Sequence, residues 1–246
     1  MTSPTTISAE APAPFRVEFT TRVGGVSSGP FESLNLGLMT EDEPEAVLEN
    51  RKRLMSALGV DAARASMCRQ VHGARVTDAE GAGIDTPRSH PERDGVWTDR
   101  ALEPVVVLSA DCVPIALCRN DPRPAVAAVH AGWRGLLAGV IEAAVDALGS
   151  SRLHASVGPA IGACCYEVGS EVADPFSARF GRGVVHGGHV DLQAAARCAL
   201  EELGVPEIET ISACTACDQT RFFSHRRDNG RTGRQGLVAF IENLAS

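Results

Sequence analysis

Apolar and polar positions alternate with a period of two over residues 15–22. The run ends at Gly24-Gly25, which predicts a strand closing in a turn. Past Asp42 and Glu43 the period lengthens. Val47, Leu54, Met55 and Leu58 share one face between Pro44, at a first helical position, and Gly59, so a helix is predicted there. A second helix is predicted over residues 136–148, with Leu137, Val140, Ile141, Ala144 and Leu148 inward and Gly149 beyond its end. A third starts at a capping Asp191 and runs to Leu203, before Gly204. Val105-Val106-Val107-Leu108 and Ala125-Val126-Ala127-Ala128-Val129 are apolar throughout and read as fully buried strands.

Residues 1–14 are mostly Thr, Ser, Ala and Pro and read as a frayed, disordered tail. The polar stretch over residues 81–95 reads as a long loop. With no repeat and no interior linker, residues 15–246 read as a single domain. The order of strands and helices lacks strict βαβ alternation. It predicts an α+β fold, a layered domain of mixed β-sheets flanked by helices.

Composition narrows the function more than the fold. A hydrophobic content of 44% with only 4% aromatic residues implies a large core of Val, Leu, Ile and Ala. A formal charge of −8 excludes a bulk electrostatic grip on nucleic acid, though local arginine clusters remain able to hold a small anion. No apolar run approaches the roughly 18 residues of a membrane span. The N-terminus lacks the basic and apolar segments of a secretory signal, so the eight cysteines fit a reducing cytoplasm, where thiols serve metals or cores.

The chemistry concentrates where the buried strands break. The 105–108 run leads into Ala110-Asp111-Cys112, and the 125–129 run into His130-Ala131-Gly132-Trp133-Arg134-Gly135. Upstream, Gln70-Val71-His72-Gly73 supplies a second histidine. A single cysteine or histidine is ordinarily packing. Together, His72, Cys112 and His130 make a three-ligand zinc set with a fourth position open to water or substrate. Asp111 can accept a proton, orient a ligand or cap a turn. Exposed N–H groups at the turn before the second helix, with Arg134, form a candidate anion site, and Arg22, Arg51, Arg226 and Arg227 are further anion candidates. Cys214-Thr215-Ala216-Cys217 has knuckle spacing, but no second such pair is evident, and both it and Cys164-Cys165 read as packing. His186 and His189 read as solvated in an exposed hairpin.

The chain resembles the YfiH, or laccase-domain, family, also described as purine nucleoside phosphorylase-like or peptidoglycan editing factor proteins. The likeness runs from about residue 15 onward. It is carried by Thr20-Thr21-Arg22, Ser33-Leu34-Asn35-Leu36-Gly37, Glu49-Asn50-Arg51, Gln70-Val71-His72, Ala110-Asp111-Cys112 and His130-Ala131-Gly132-Trp133-Arg134-Gly135. Gly158-Pro159-Ala160-Ile161-Gly162, Cys165-Tyr166-Glu167-Val168, Phe223-Ser224 and Gly233-Arg234-Gln235 extend it. The resemblance implies a layered α+β fold similar to cysteine hydrolases, with metal on His72, Cys112 and His130. It implies catalysis by Cys112, Asp111, His72 and His130, and substrate or phosphate binding by Arg51, Arg134, Arg22, Gln70 and Asn35.

It also implies phosphorolysis of adenosine, inosine and methylthioadenosine, with adenosine deamination beside it, although the full His-x-Glu…Pro-Cys-x-x-Cys deaminase signature is absent. The alternative is a cysteine hydrolase editing cell-wall precursors, with Cys112 as nucleophile and His130 as base. A metal-stabilised binding module ranks below both. Zinc is the expected metal and copper the competing one. Copper-dependent polyphenol oxidation is disfavoured, because the seven histidines include no His-x-His pair. The expected partners are a purine nucleoside and phosphate, with no nucleic acid and no membrane, on a monomer or weak homodimer.

Overall fold

Alternation over residues 15–22 becomes a strand because alternate side chains enter different layers. Phe15, Val17 and Phe19 bury between two sheets in the computed structural model, which describes residues 2–81, 83–84, 91–149 and 152–243. In chain order the strands are β1 (Thr6–Ser8), β2 (Phe15–Thr20), β3 (Val76–Asp78), β4 (Gly95–Thr98), β5 (Val105–Ser109) and β6 (Val113–Arg119). There follow β7 (Ala125–Ala131), β8 (Leu153–Val157), β9 (Val185–His186), β10 (His189–Val190), β11 (Glu207–Thr210) and β12 (Gln235–Ile241). The helices are α1 (Pro44–Leu58), α2 (Trp133–Leu137), α3 (Val140–Leu148), α4 (Ser170–Phe180) and α5 (Leu192–Glu202).

An antiparallel sheet has the order β1-β2-β12-β5. A larger mixed sheet has the order β11-β8-β6-β7-β4-β3, parallel at its β11–β8 and β4–β3 pairs. Between the sheets, Phe15, Val17, Phe19, Val107 and Leu237 meet Ala116, Val126 and Ala128, whose small side chains let the phenylalanines in. Val106, Val238 and Phe240 point the other way, against Leu54, Met55 and Leu58 of α1. On the far side of the larger sheet, Ile115, Leu117 and Val129 share a core with Ile141 of α3, Phe176 of α4 and Ala199 of α5. The layers thus run helix, sheet, sheet, helices, the α+β architecture expected. Each fully buried Val, Leu or Phe contributes about 1.5–3 kcal/mol.

Several expectations are met at their boundaries. α1 begins on Pro44 and ends at Gly59, and the Asp191 carboxylate caps α5 through the Ala194 N–H at 2.9 Å. His186 and His189 stand in the β9–β10 hairpin. Three points need correction. Of the tail expected over residues 1–14, the described residues 2–14 are not frayed, because Thr6–Ser8 pairs antiparallel with β2 and Ile7 packs on the inter-sheet core. That strand is too short for its alternation to show against the surrounding Pro and Ser. The second helix is broken: Gly139, at φ 85°, separates α2 from α3. Helix α4, unpredicted, carries Pro175 within it, a residue that reads as a break. Of the expected loop over residues 81–95, positions 82 and 85–90 lie outside the described residues.

Candidate functional site

The chain leaves the four-stranded sheet at the end of β5 and enters the six-stranded sheet at β6, so residues 110–112 form the crossover between sheets. Asp111 makes the turn with φ 95°, a left-handed conformation costly for a residue with a side chain. Three contacts hold it there. Its Oδ1 accepts from Thr215 Oγ1 at 2.7 Å, its Oδ2 from the Arg226 N–H at 2.7 Å, and its carbonyl from the Ile161 N–H at 2.9 Å. Ser109 Oγ donates to the Cys112 carbonyl at 2.8 Å. Asp111, expected among the catalytic groups, therefore has both carboxylate oxygens engaged and braces the elbow that presents Cys112.

His130 lies near the end of β7, one strand over from Cys112, with Pro114 as its register partner on β6. His72 approaches from a loop in which its own φ is 61°. One residue organises both histidines. The fully buried Asp94 accepts the N–H groups of Val71, His72 and Gly73 at 3.2, 2.9 and 2.7 Å. Its Oδ1 also lies 2.9 Å from His130 Nδ1. A carboxylate there can only accept, so Nδ1 carries the proton and Nε2 is left for a ligand. Gly132 completes the approach, since a Cβ at that position would sit 2.9 Å from both Cys112 Sγ and His72 Cδ2. The donor atoms of His72, Cys112 and His130 all lie within 4.8 Å of one another.

This grouping polarises its members. Burial pushes the Cys112 thiol up, but the His130 and His72 imidazoles outweigh it and bring the thiol down to about 6. Burial lowers His130, while the Cys112 thiolate and Asp94 outweigh that effect and raise it to about 9. Without metal, the pair is thus a thiolate beside an imidazolium. The donor set also fits a metal: one soft thiolate and two imidazoles, with the Asp94 carboxylate holding the His130 ring.

The cluster opens onto a cavity of about 550 Å³. Five arginines line it, Arg51, Arg69, Arg134, Arg226 and Arg234, together with Trp133 and Tyr166. Arg134 lies over the Trp133 ring at 4.2 Å and Arg226 over Tyr166 at 4.9 Å, so aromatic faces hold both guanidinium planes. Arg51 is buried and donates Nε to Leu36 O at 2.8 Å and a terminal nitrogen to Ile84 O. Gln70 lines the cavity while its amide clamps the Leu108 backbone in both directions, at 2.6 and 2.8 Å.

Arg22 and Asn35, expected to bind substrate, are not among the lining residues. Arg22 donates to Glu32 O and Gln219 O and lies over Phe223. Asn35 is fully buried and spends its amide on Thr40, Asp42, Gly37 and Arg234. Arg227 likewise pairs with Asp228 away from the cavity lining. Sequence reasoning missed Asp94, Arg234 and Tyr166. Asp94 stands in an Asp-Gly step of a polar stretch and looks like a turn residue.

A second cluster corrects another expectation. Cys214 and Cys217 do have a partner pair: the sulfurs of Cys164, Cys165, Cys214 and Cys217 all lie within 4.8 Å of one another.

Comparison with known proteins places the chain in a family. Residues 16–242 match the family described as multi-copper polyphenol oxidoreductase laccase. A purine nucleoside phosphorylase of Pseudomonas aeruginosa is 40% identical over 249 residues, 95% of this chain and 96% of that one. The purine nucleoside phosphorylase YfiH of Escherichia coli is 39% identical over 90% of each chain. The crystal structure of YlmD from Geobacillus stearothermophilus superposes with a TM-score of 0.90 at 32% identity, over 97% of this chain and 96% of that one. The chain belongs to the laccase-like family of YfiH proteins.

Proposed function

We propose that the chain is a purine nucleoside phosphorylase, acting on adenosine, inosine and methylthioadenosine, with His72, Cys112 and His130 holding zinc at the cavity wall. The observation that carries this reading is the joining of a Cys/His/His cluster to an arginine-lined cavity large enough for a nucleoside and phosphate. In phosphorolysis a phosphate oxygen bonds to the ribose anomeric carbon as the glycosidic C–N bond breaks. The electron pair of that bond passes to the purine, which takes up a proton. Arg134 binds the incoming phosphate, its plane fixed on Trp133, and Arg51 and Arg234 add positive charge to the same cavity. Asp94 keeps His130 in the ligand tautomer, and Gln70 holds the β5 end in place. Bound there, zinc would supply Lewis-acid polarisation of a substrate oxygen. The names carried by relatives at about 40% identity support the phosphorylase reading.

A second reading rests on a different observation. Cys112, His130 and Asp94 form a thiolate, imidazolium and carboxylate chain, the arrangement of a cysteine hydrolase. In that reading the substrate is a cell-wall precursor. A mass-spectrometric product screen separates the two, using adenosine, inosine, methylthioadenosine and peptidoglycan precursors with and without phosphate. Free purine formed only with phosphate supports phosphorolysis. Inosine formed from adenosine would indicate deamination, and cleaved precursor with intact nucleosides would establish the hydrolase.

A further inference from the structure

We propose that Cys164, Cys165, Cys214 and Cys217 hold one zinc-class ion in a four-thiolate structural site, separate from the Cys112 centre. Cys164 Sγ lies 3.5 Å and Cys165 Sγ 3.3 Å from Cys217 Sγ, and all four sulfurs fall within 4.8 Å. A tetrahedral ion with Zn–S near 2.3 Å places its sulfurs about 3.8 Å apart, so the pairs at 3.3 and 3.5 Å need open by only a few tenths of an ångström, and no pair has more than about 1 Å to close. The same sulfurs are too far apart to be disulfides, and all four cysteines are free. They are too close for an iron–sulfur cluster, whose inorganic sulfides and several irons spread the ligands around them.

The backbone is already arranged for a thiolate. The Gly162 N–H donates to Cys214 Sγ at 3.2 Å, and the Cys217 N–H donates to the same sulfur across the Cys-x-x-Cys turn. Backbone N–H groups of this kind hold the thiolate ligands of a sulfur-rich site in place. The Arg227 guanidinium, paired with Asp228, also pins the knuckle backbone by donating to Thr215 O at 2.9 Å and Ala216 O at 3.5 Å, both carbonyls between Cys214 and Cys217. All-sulfur ligation selects a soft or borderline ion over magnesium or calcium.

The placement gives the ion a task. Thr215, between the two knuckle cysteines, donates to Asp111, and Ile161, just before the other pair, donates to the Asp111 carbonyl. The two loops are also tied to each other through Thr215 N to Ala160 O at 3.0 Å. An ion bridging them would clamp both braces of the strained elbow that carries Cys112.

The test uses full-length protein reconstituted with zinc under reductant, in wild-type form, as Cys112→Ala and as the double variant Cys164→Ser with Cys217→Ser. Elemental analysis should find two zinc equivalents in the wild type and one in each variant. X-ray absorption on Cys112→Ala, which retains only the second site, should show a shell of four sulfurs at about 2.3 Å. Should the double variant fail to fold, the Cys112→Ala spectrum still decides. Cys112→Ala protein without zinc, with a nitrogen-containing ligand shell, or with a disulfide among the four cysteines would overturn the proposal.

Discussion

A buried carboxylate is costly unless its lone pairs are used, and Asp94 uses them on three backbone amides and one imidazole. Asp94→Asn would put an amide NH2 against donors on at least one side and release the His130 tautomer. Zinc affinity at the Cys112 centre should fall about 10–100-fold, read by chelator competition. Unchanged affinity would show that Asp94 does not position the ligand. Cys112 itself should titrate low in metal-free protein. With the thiol held at about 6 by the neighbouring imidazoles, alkylation should slow as pH falls through that value and stay fast above it. Zinc should protect the thiol. A midpoint near the ordinary thiol value of about 8.5 would contradict the thiolate–imidazolium pairing. At this scale the clustering of His72, Cys112 and His130 was legible in the sequence, because Cys112 and His130 stand where apolar runs break and His72 precedes a glycine. Asp94 was not, because a buried acceptor of backbone amides and a surface turn aspartate look alike in one dimension. Asn35 misled for the converse reason: a polar residue that satisfies the backbone internally resembles one that awaits a substrate.

Glycines set two of the element boundaries that matter. Gly139 breaks the predicted second helix, so the short α2 carries Trp133 and Arg134 to the cavity instead of continuing the line of α3. Gly132, just before α2, leaves room for Cys112 and His72. Gly132→Ala should therefore abolish tight zinc binding at that centre while the protein stays folded, as judged by circular dichroism and elemental analysis. Retained metal with an unchanged fold would show that the two ligands have slack. Arg134→Lys keeps the charge but loses the planar fork that suits phosphate oxygens. Its Michaelis constant for phosphate should rise about tenfold or more, on the scale of one lost charge-assisted hydrogen bond of about 1.5–3 kcal/mol, while that for nucleoside changes little. An unchanged constant for phosphate would move the anion site elsewhere along the wall. α1 and α5 were readable because caps, glycine stops and periodicity agree within each. β1 was not, since its burial depends on a partner strand and a core assembled from distant residues.

For the molecule as a whole, an acidic chain of net charge −8 brings five of its arginines around one cavity at the crossover between two sheets. Composition showed the charge, but only the topology reveals that arginines as distant as Arg51 and Arg234 line the same cavity. Likewise, the family and the α+β layering were legible from motifs and element order. The pairing of Cys164-Cys165 with Cys214 and Cys217 required the loops on either side of Thr215 and Ile161 to meet. The central claim, phosphate-dependent nucleoside cleavage at the Cys112 centre, is tested most directly by phosphorus NMR of inosine incubated with zinc-loaded protein and inorganic phosphate. Sugar 1-phosphate should appear in step with free purine in the wild type, with neither formed when phosphate is omitted or when Cys112→Ala replaces the wild type. Purine released at the same rate without phosphate, or sugar 1-phosphate produced undiminished by Cys112→Ala, would contradict the account.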